Sequence, residues 1–367
     1  MSEKKIFVTR TSLPPFEEYV QSIEKLWDSH WITNMGENHN RLEAALRDYL
    51  EVPEVVLTVN GHTALELALQ SFGFPEGSEI ITTPFTFIST THAIVRSGVV
   101  PVFCDVKESD GTMDESLIEG LITERTAAIL PVHVYGNICN VDAIGEIAKK
   151  HGLKVIYDAA HTFGERYRGE GVANFGDLSV LSFHATKVYH TIEGGAVVCK
   201  SRGDYDRFGV MRDFGIKDEE SITEVGPNGK MNEFCAVMGL CNLNHVDEAI
   251  ASRGRCAAEY RRLLQDSPSI RILRNEEDLV SNYAYFPVVT ESREARDGAC
   301  ARLKEQGIFA RKYFYPLTSD ASCYRGRFEG SDLTVARSLA ERVLTLPIYE
   351  GFATEDAARI AGILTEG

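Results

Sequence analysis

The sequence has no Cys-x-x-Cys pair. Its eight cysteines stand singly, at 104, 139, 199, 235, 241, 256, 300 and 323. That spacing offers neither a zinc site nor a redox dithiol, and reads as reduced, mostly buried thiols of a cytoplasmic protein. Positive charge is in short supply: 38 Lys plus Arg stand against 54 Asp plus Glu, a net charge of −16. Nucleic acid is a poor partner for that balance. A small anion held by backbone N–H groups and one or two arginines remains compatible with it. No apolar run approaches the ~18 residues of a membrane span, and residues 1–5 lead into a mixed segment rather than the apolar core of a signal peptide. The reading is therefore a cytoplasmic chain with no membrane partner. No internal repeat, low-complexity tract or long Pro/Gly/Ser linker is present. No G-x-G-x-x-G follows the first strand, which argues against a nicotinamide dehydrogenase.

What is present is the composition of a large folded core, 44% hydrophobic and 25% charged over 367 residues, long enough for two packed units. Apolar, β-rich runs at 55–59, 79–82, 101–105, 127–132, 154–157, 178–183 and 195–199 alternate with helical stretches such as 63–72 and 141–151. Strands separated by helices predict a mostly parallel sheet of about seven strands covered on both faces. From about 245 the texture changes to helices over 247–265 and 293–306, with strand candidates at 283–289 and 309–315. We expect an α/β chain with a large domain over 1–245 and a smaller α+β domain over 246–367.

In such a sheet, ligands gather at the carboxyl ends of the strands. After the first strand, Asn60-Gly61-His62-Thr63 opens a helix, which suits either a phosphate cradle or an ordinary N-cap. After 154–157 comes Asp158-Ala159-Ala160-His161. A carboxylate at a buried strand end needs a positive partner, and a protonated pyridine ring is one; a helix-capping Asp beside a neutral His is the plainer alternative. After 178–183 comes His184-Ala185-Thr186-Lys187, with Glu193-Gly194-Gly195-Ala196 opening the next strand. A lysine between two strands of a buried sheet, desolvated, loses basicity and becomes a Schiff-base nucleophile; a solvated loop lysine is the plainer alternative, and the context decides between them. In Thr82-Thr83-Pro84-Phe85-Thr86-Phe87, one ring is placed to stack on a flat cofactor or simply to pack the core.

These stretches, with Pro131-Val132-His133-Val134-Tyr135-Gly136 and Gly226-Pro227-Asn228-Gly229-Lys230-Met231-Asn232-Glu233, resemble the DegT-type sugar aminotransferases over nearly the whole chain. The resemblance implies fold type I with pyridoxal 5′-phosphate (PLP) bonded to Lys187 and Asp158 holding the pyridine nitrogen protonated. It also implies Phe87 on the ring face and His161 near the ring hydroxyl. Gly61, His62, Thr63 and Ser182 would cradle the phosphate, with Asn228 reaching the phosphate of a neighbouring subunit, so that a homodimer shares its active sites. Two departures stand out: His62 where the family often has Thr, and Val188 where many members have Asn.

The implied reaction moves an amine from L-glutamate to the cofactor and on to a nucleotide-linked keto-sugar, with Lys187 as the proton-shuttling base and acid. Leu13-Pro14-Pro15 and Trp31-Ile32-Thr33-Asn34 look most like members that make dTDP-4-amino-4,6-dideoxyglucose from dTDP-4-keto-6-deoxyglucose. Arg212, Tyr313 and Tyr315 match places where relatives approach substrate, Arg212 facing a diphosphate or carboxylate; a surface ion pair is the alternative for that arginine. A 3-keto-sugar aminotransferase and a non-catalytic PLP-fold sensor are the competing functions. A dehydratase of this fold would have His in place of Lys187.

Overall fold

The computed structural model describes residues 5–274, 277–328 and 330–365; residues 1–4 of the opening segment lie outside them. Seven strands form the central sheet: β1 (Glu54–Thr58), β2 (Glu79–Thr82), β3 (Val100–Phe103), β4 (Thr126–Leu130), β5 (Lys154–Asp158), β6 (Leu178–Ser182) and β7 (Gly195–Cys199). Their order across the sheet is β1-β7-β6-β5-β4-β2-β3. All pairs are parallel except those of β7, which runs antiparallel to both β1 and β6. The strands read as unbroken apolar runs because both faces are covered. Ile80, Leu130 and Ile156 pack into one core cluster, while their neighbours Ile81, Ile129 and Val155 pack into another on the opposite face, as the two-residue period of a strand requires.

A second layer of structure follows the helix Val246–Leu264: β8 (Ile270–Ile272), β9 (Phe286–Thr290) and β10 (Val343–Leu346) form an antiparallel sheet in the order β8-β9-β10. Tyr260, Phe286 and Leu344 lie in its core. Two strand expectations change here. The run 283–289 becomes a strand only from Phe286, because the side chains of Ser281 and Asn282 cap the Tyr283 and Ala284 N–H groups locally. The run 309–315 is not a strand beyond Ile308–Phe309, which pairs with Ile6–Phe7. Its aromatics favour β-structure in isolation, but Phe314 is buried against Tyr135 and His161, and Pro316 discourages continuation. All eight cysteines are free, six of them buried. Among the described residues no helix is long and apolar enough to cross a membrane.

The antiparallel insertion of β7 matters for the site because it presses Gly195 against the turn after β1. Gly195 stands opposite both Thr58 and Ser182, and a Cβ on it would lie 2.5 Å from Gly61 N and 2.6 Å from Asn60 C. Backbone cannot yield as a flexible side chain does. Gly195→Ala is expected to destabilise the fold by about 1–3 kcal/mol through this overpacking, seen as a lowered thermal midpoint. An unchanged midpoint would show that the turn gives way freely.

Candidate active site

The carboxyl ends of β1, β2, β5 and β6 open on one cavity of about 350 Å³. After β1, Asn60 Oδ1 accepts the Thr63 N–H at 2.8 Å and starts the helix Gly61–Ser71. Gly61 and His62 line the cavity, and the first N–H groups of a helix have no partner within it, which makes an anion-binding end. Gly61 sits so close to Ser182 that a Cβ on it would lie 2.9 Å from the Ser182 Cβ. His62 is braced by Ser89 Oγ at 2.8 Å and by Glu66 at 3.4 Å. Phe87, 58% exposed as a residue, forms part of the wall.

Asp158 ends β5 and is buried. Its Oδ2 accepts the Thr90 hydroxyl at 2.8 Å and its Oδ1 the Ala160 N–H at 3.2 Å. Burial raises its pKa while those two donors pull the other way. Lys187 lines the same cavity from the loop after β6, its N–H donating to the His184 carbonyl at 2.8 Å. Burial lowers its amine to about 8, with the Asp158 charge opposing. A buried cation-forming group and a buried anion-forming group thus face one space, each destabilised in its charged form by the same desolvation.

His161 completes the floor. Its Nδ1 accepts the Tyr135 N–H at 3.0 Å, so the ring proton sits on Nε2. Burial, reinforced by the nearby Lys187 charge, keeps the ring neutral by pushing its pKa well below the ordinary value. Tyr285 meets His161 edge-on at 4.7 Å between centroids and lies under Lys187 Nζ at 5.9 Å. Tyr313 and Phe314 close the far side, Phe314 parallel to the His161 ring at 6.1 Å.

A family model, the DegT/DnrJ/EryC1/StrS aminotransferase family, matches residues 16–365. The chain belongs to that family. It is 42% identical over 366 residues to the dTDP-4-amino-4,6-dideoxy-D-glucose transaminase of Shigella dysenteriae, and 39% identical over 371 residues to the Escherichia coli protein of the same name; in each case 99% of both chains is covered. The crystal structure of DesI in the presence of its TDP-sugar product superposes with a TM-score of 0.93 at 30% identity, covering 100% of this chain and 93% of that one. The protein is accordingly a PLP-dependent aminotransferase of fold type I.

The cavity of this DegT-family chain suits that cofactor. Among the described residues the buried Asp158 carboxyl has two hydrogen-bond donors and no cationic side chain hydrogen-bonded to it, leaving a place for a pyridinium. The close backbone approach at Gly61 and Ser182 leaves room for a phosphate on the helix N-terminus.

Of the residues expected at the site, Gly61, His62, Phe87, Asp158, His161, Ser182, Lys187 and Tyr313 line the cavity. Four do not. Thr63 contributes its N–H to the helix cap. Asn228 bridges Asp213 through its backbone. Tyr315 lies beneath the Arg293 and Arg296 guanidinium groups, away from the lining. Arg212 is not in the cavity lining, and it is buried rather than part of a surface ion pair. Buried, it donates through Nη1 to Glu43 Oε1 at 2.6 Å and to the Leu57 carbonyl at 2.7 Å. Burial opposes ionisation of Glu43, yet hydrogen bonding from His39 and the Arg212 charge hold its pKa at about 2. Sequence reading missed Thr90 and Tyr285, whose places at the site come from the packing of distant segments.

Arg212→Ala, by leaving Glu43 buried without its cation, is expected to destabilise the fold by about 3–5 kcal/mol while the KM for sugar substrate in the surviving folded fraction stays near wild type. A selective rise in that KM with stability intact would return Arg212 to the substrate site.

Proposed function

We propose that this enzyme transfers the amino group of L-glutamate to C4 of dTDP-4-keto-6-deoxyglucose, with PLP held on Lys187. The observation that carries the reading is the buried Lys187 amine, lowered to about 8, lining one cavity with buried Asp158. The sugar is supported by the two relatives named for a dTDP-4-amino-4,6-dideoxy-D-glucose product, alike along 99% of both chains. Glutamate and the cytoplasm complete the proposal, the latter consistent with eight unpaired cysteines.

Bound PLP supplies a conjugated ring that takes up electrons from the substrate carbon. Asp158, its charge disfavoured by burial, is satisfied by a protonated ring nitrogen and keeps it protonated. Lys187 would hold the cofactor covalently through its neutral amine, and as a free amine it would take a proton from the amino acid α-carbon as base and return it as acid. Ser182 and the helix N-terminus at Gly61 and His62 would hold the phosphate, Phe87 would cover one ring face, and His161 would donate its Nε2–H toward the cofactor. Asn228, absent from the lining of its own cavity, serves the phosphate site of a second copy. That arrangement makes a homodimer the working unit.

Visible absorbance of the PLP-loaded protein tests the whole reaction. L-Glutamate should bleach the band with release of 2-oxoglutarate, and dTDP-4-keto-6-deoxyglucose should restore it with a 4-aminated product by mass and NMR. Bleaching without recovery, or amination at C3, would overturn the sugar assignment; binding of PLP without 2-oxoglutarate release would mark a sensor. Lys187→Ala is expected to abolish turnover, and substantial residual transamination in a clean preparation would sink its role.

The pH dependence follows from the amine. Its protonated form is not nucleophilic, so reconstitution of cofactor-free protein with PLP should accelerate about tenfold per pH unit below 8 and level off above it. A rate still climbing at that slope well above 8 would mean that Lys187 keeps an ordinary ammonium.

A further inference from the structure

Behind His161 lies an ion pair that the proposed chemistry does not use. Glu165 and Arg274 have side chains 0% and 1% exposed, with Arg274 Nη2 at 3.4 Å from Glu165 Oε1. Removing two charges from water brings little net stability over apolar packing, so the pair calls for another account. Its contacts supply one. Arg274 Nη1 donates to the Tyr135 carbonyl at 2.5 Å, and Nη2 donates to Ser281 Oγ. Glu165 Oε1 accepts the Asn282 N–H at 3.1 Å. A Cβ on Gly136, where φ is +87°, would lie 2.8 Å from Glu165 Oε1 and 3.2 Å from Arg274 Nη1, so the pair is pressed directly into the turn.

Both ends of this network lead to His161. Tyr135, fully buried, has φ 60° and ψ 4°, a left-handed conformation that a bulky L-residue holds only when its surroundings impose it. Its N–H is the donor to His161 Nδ1. Asn282, whose N–H is fixed by Glu165, donates through Nδ2 to the His161 carbonyl at 2.9 Å and to the Phe163 carbonyl at 3.0 Å. Three residues later, Tyr285 packs on the edge of the His161 ring. Burial pushes Glu165 up to about 7 against the pull of Arg274, so its charge depends on that arginine.

We propose that the Glu165–Arg274 pair is a positioning element that sets the tautomer and direction of His161, by holding the Tyr135 turn with its N–H on Nδ1 and by fixing Asn282 beneath the His161 carbonyl. This rests on the reading of His161 as a group that donates toward the cofactor. Without the Tyr135 donor the two neutral tautomers compete, and the ring no longer presents a single N–H to the cavity.

The test is the ring-nitrogen NMR spectrum of PLP-loaded protein labelled at its histidines, with the His161 signals identified by their loss in His161→Asn. Wild type should show a protonated Nε2 and a bare Nδ1. Arg274→Lys keeps a charge for Glu165 but lacks the planar fork that reaches Tyr135, Glu165 and Ser281 together. In this variant the two nitrogen shifts should converge toward a tautomer mixture. Its kcat should fall roughly ten- to hundredfold with KM for L-glutamate little changed. A folded Arg274→Lys protein in which His161 keeps the wild-type nitrogen pattern would overturn the proposal, whatever its loss of thermal stability. Should that variant not fold, Glu165→Gln is read in the same spectrum with the same two outcomes. If wild type carried out no transamination, the proposed function would fail while the nitrogen pattern still decided this inference.

Discussion

The structure depends on the desolvation of two groups that prefer water. Asp158 ends one strand of the mostly parallel sheet and Lys187 lies on the loop after its neighbour, and each is buried where its charge is disfavoured. A cavity that only stabilised protein would contain neither. The sheet makes them tolerable: its parallel strands bring their carboxyl ends to one rim, so opposite charges from residues 29 positions apart, 158 and 187, oppose each other's desolvation. The same dryness that costs stability leaves the amine nucleophilic and the carboxylate in want of a cation, and these are the two demands that PLP chemistry makes of its protein.

Histidine shows how environment separates roles within one residue type. His133 is fully buried, its pKa pushed down to about 3, its Nδ1 accepting the Cys139 N–H at 3.1 Å and its ring stacked on Tyr157 at 4.6 Å. It braces the sheet rim. His161 is also buried, but it lines the cavity. His62 stands at the helix N-terminus between Ser89 and Glu66. Nothing in the residue's spelling distinguishes the three; what surrounds each ring does: a sealed core for His133, the cavity for His161 and a helix N-terminus for His62.

The central sheet was legible because its signal is local. Apolar runs bounded by turns placed all seven strands to within two residues at either end, and the residues after their carboxyl ends could be read as a group. Legibility ended where partners are remote. Arg212 sits in a stretch with Asp213, Phe214 and Gly215 that resembles an exposed loop, and nothing nearby announces Glu43, 169 residues away. The aromatic run ending at Tyr315 has the composition of a strand, yet Phe314 is drawn to Tyr135 and His161, and Tyr315 to Arg293 and Arg296. In both cases tertiary packing overrode a local preference. Thr90 and Tyr285 carry no local mark at all.

The wall formed by Tyr285, Tyr313 and Phe314 also has a bearing on biosynthesis of the chain itself. Every strand of the central sheet has been synthesised by residue 199, but the aromatic wall against Lys187 arrives more than 80 residues later and closes by long-range contact. Chain entropy makes such closure a late event in folding. A nascent chain emerging from the ribosome therefore displays a lysine still open to water before it has an enclosed one, because the residues that enclose it lie in the C-terminal third of the chain.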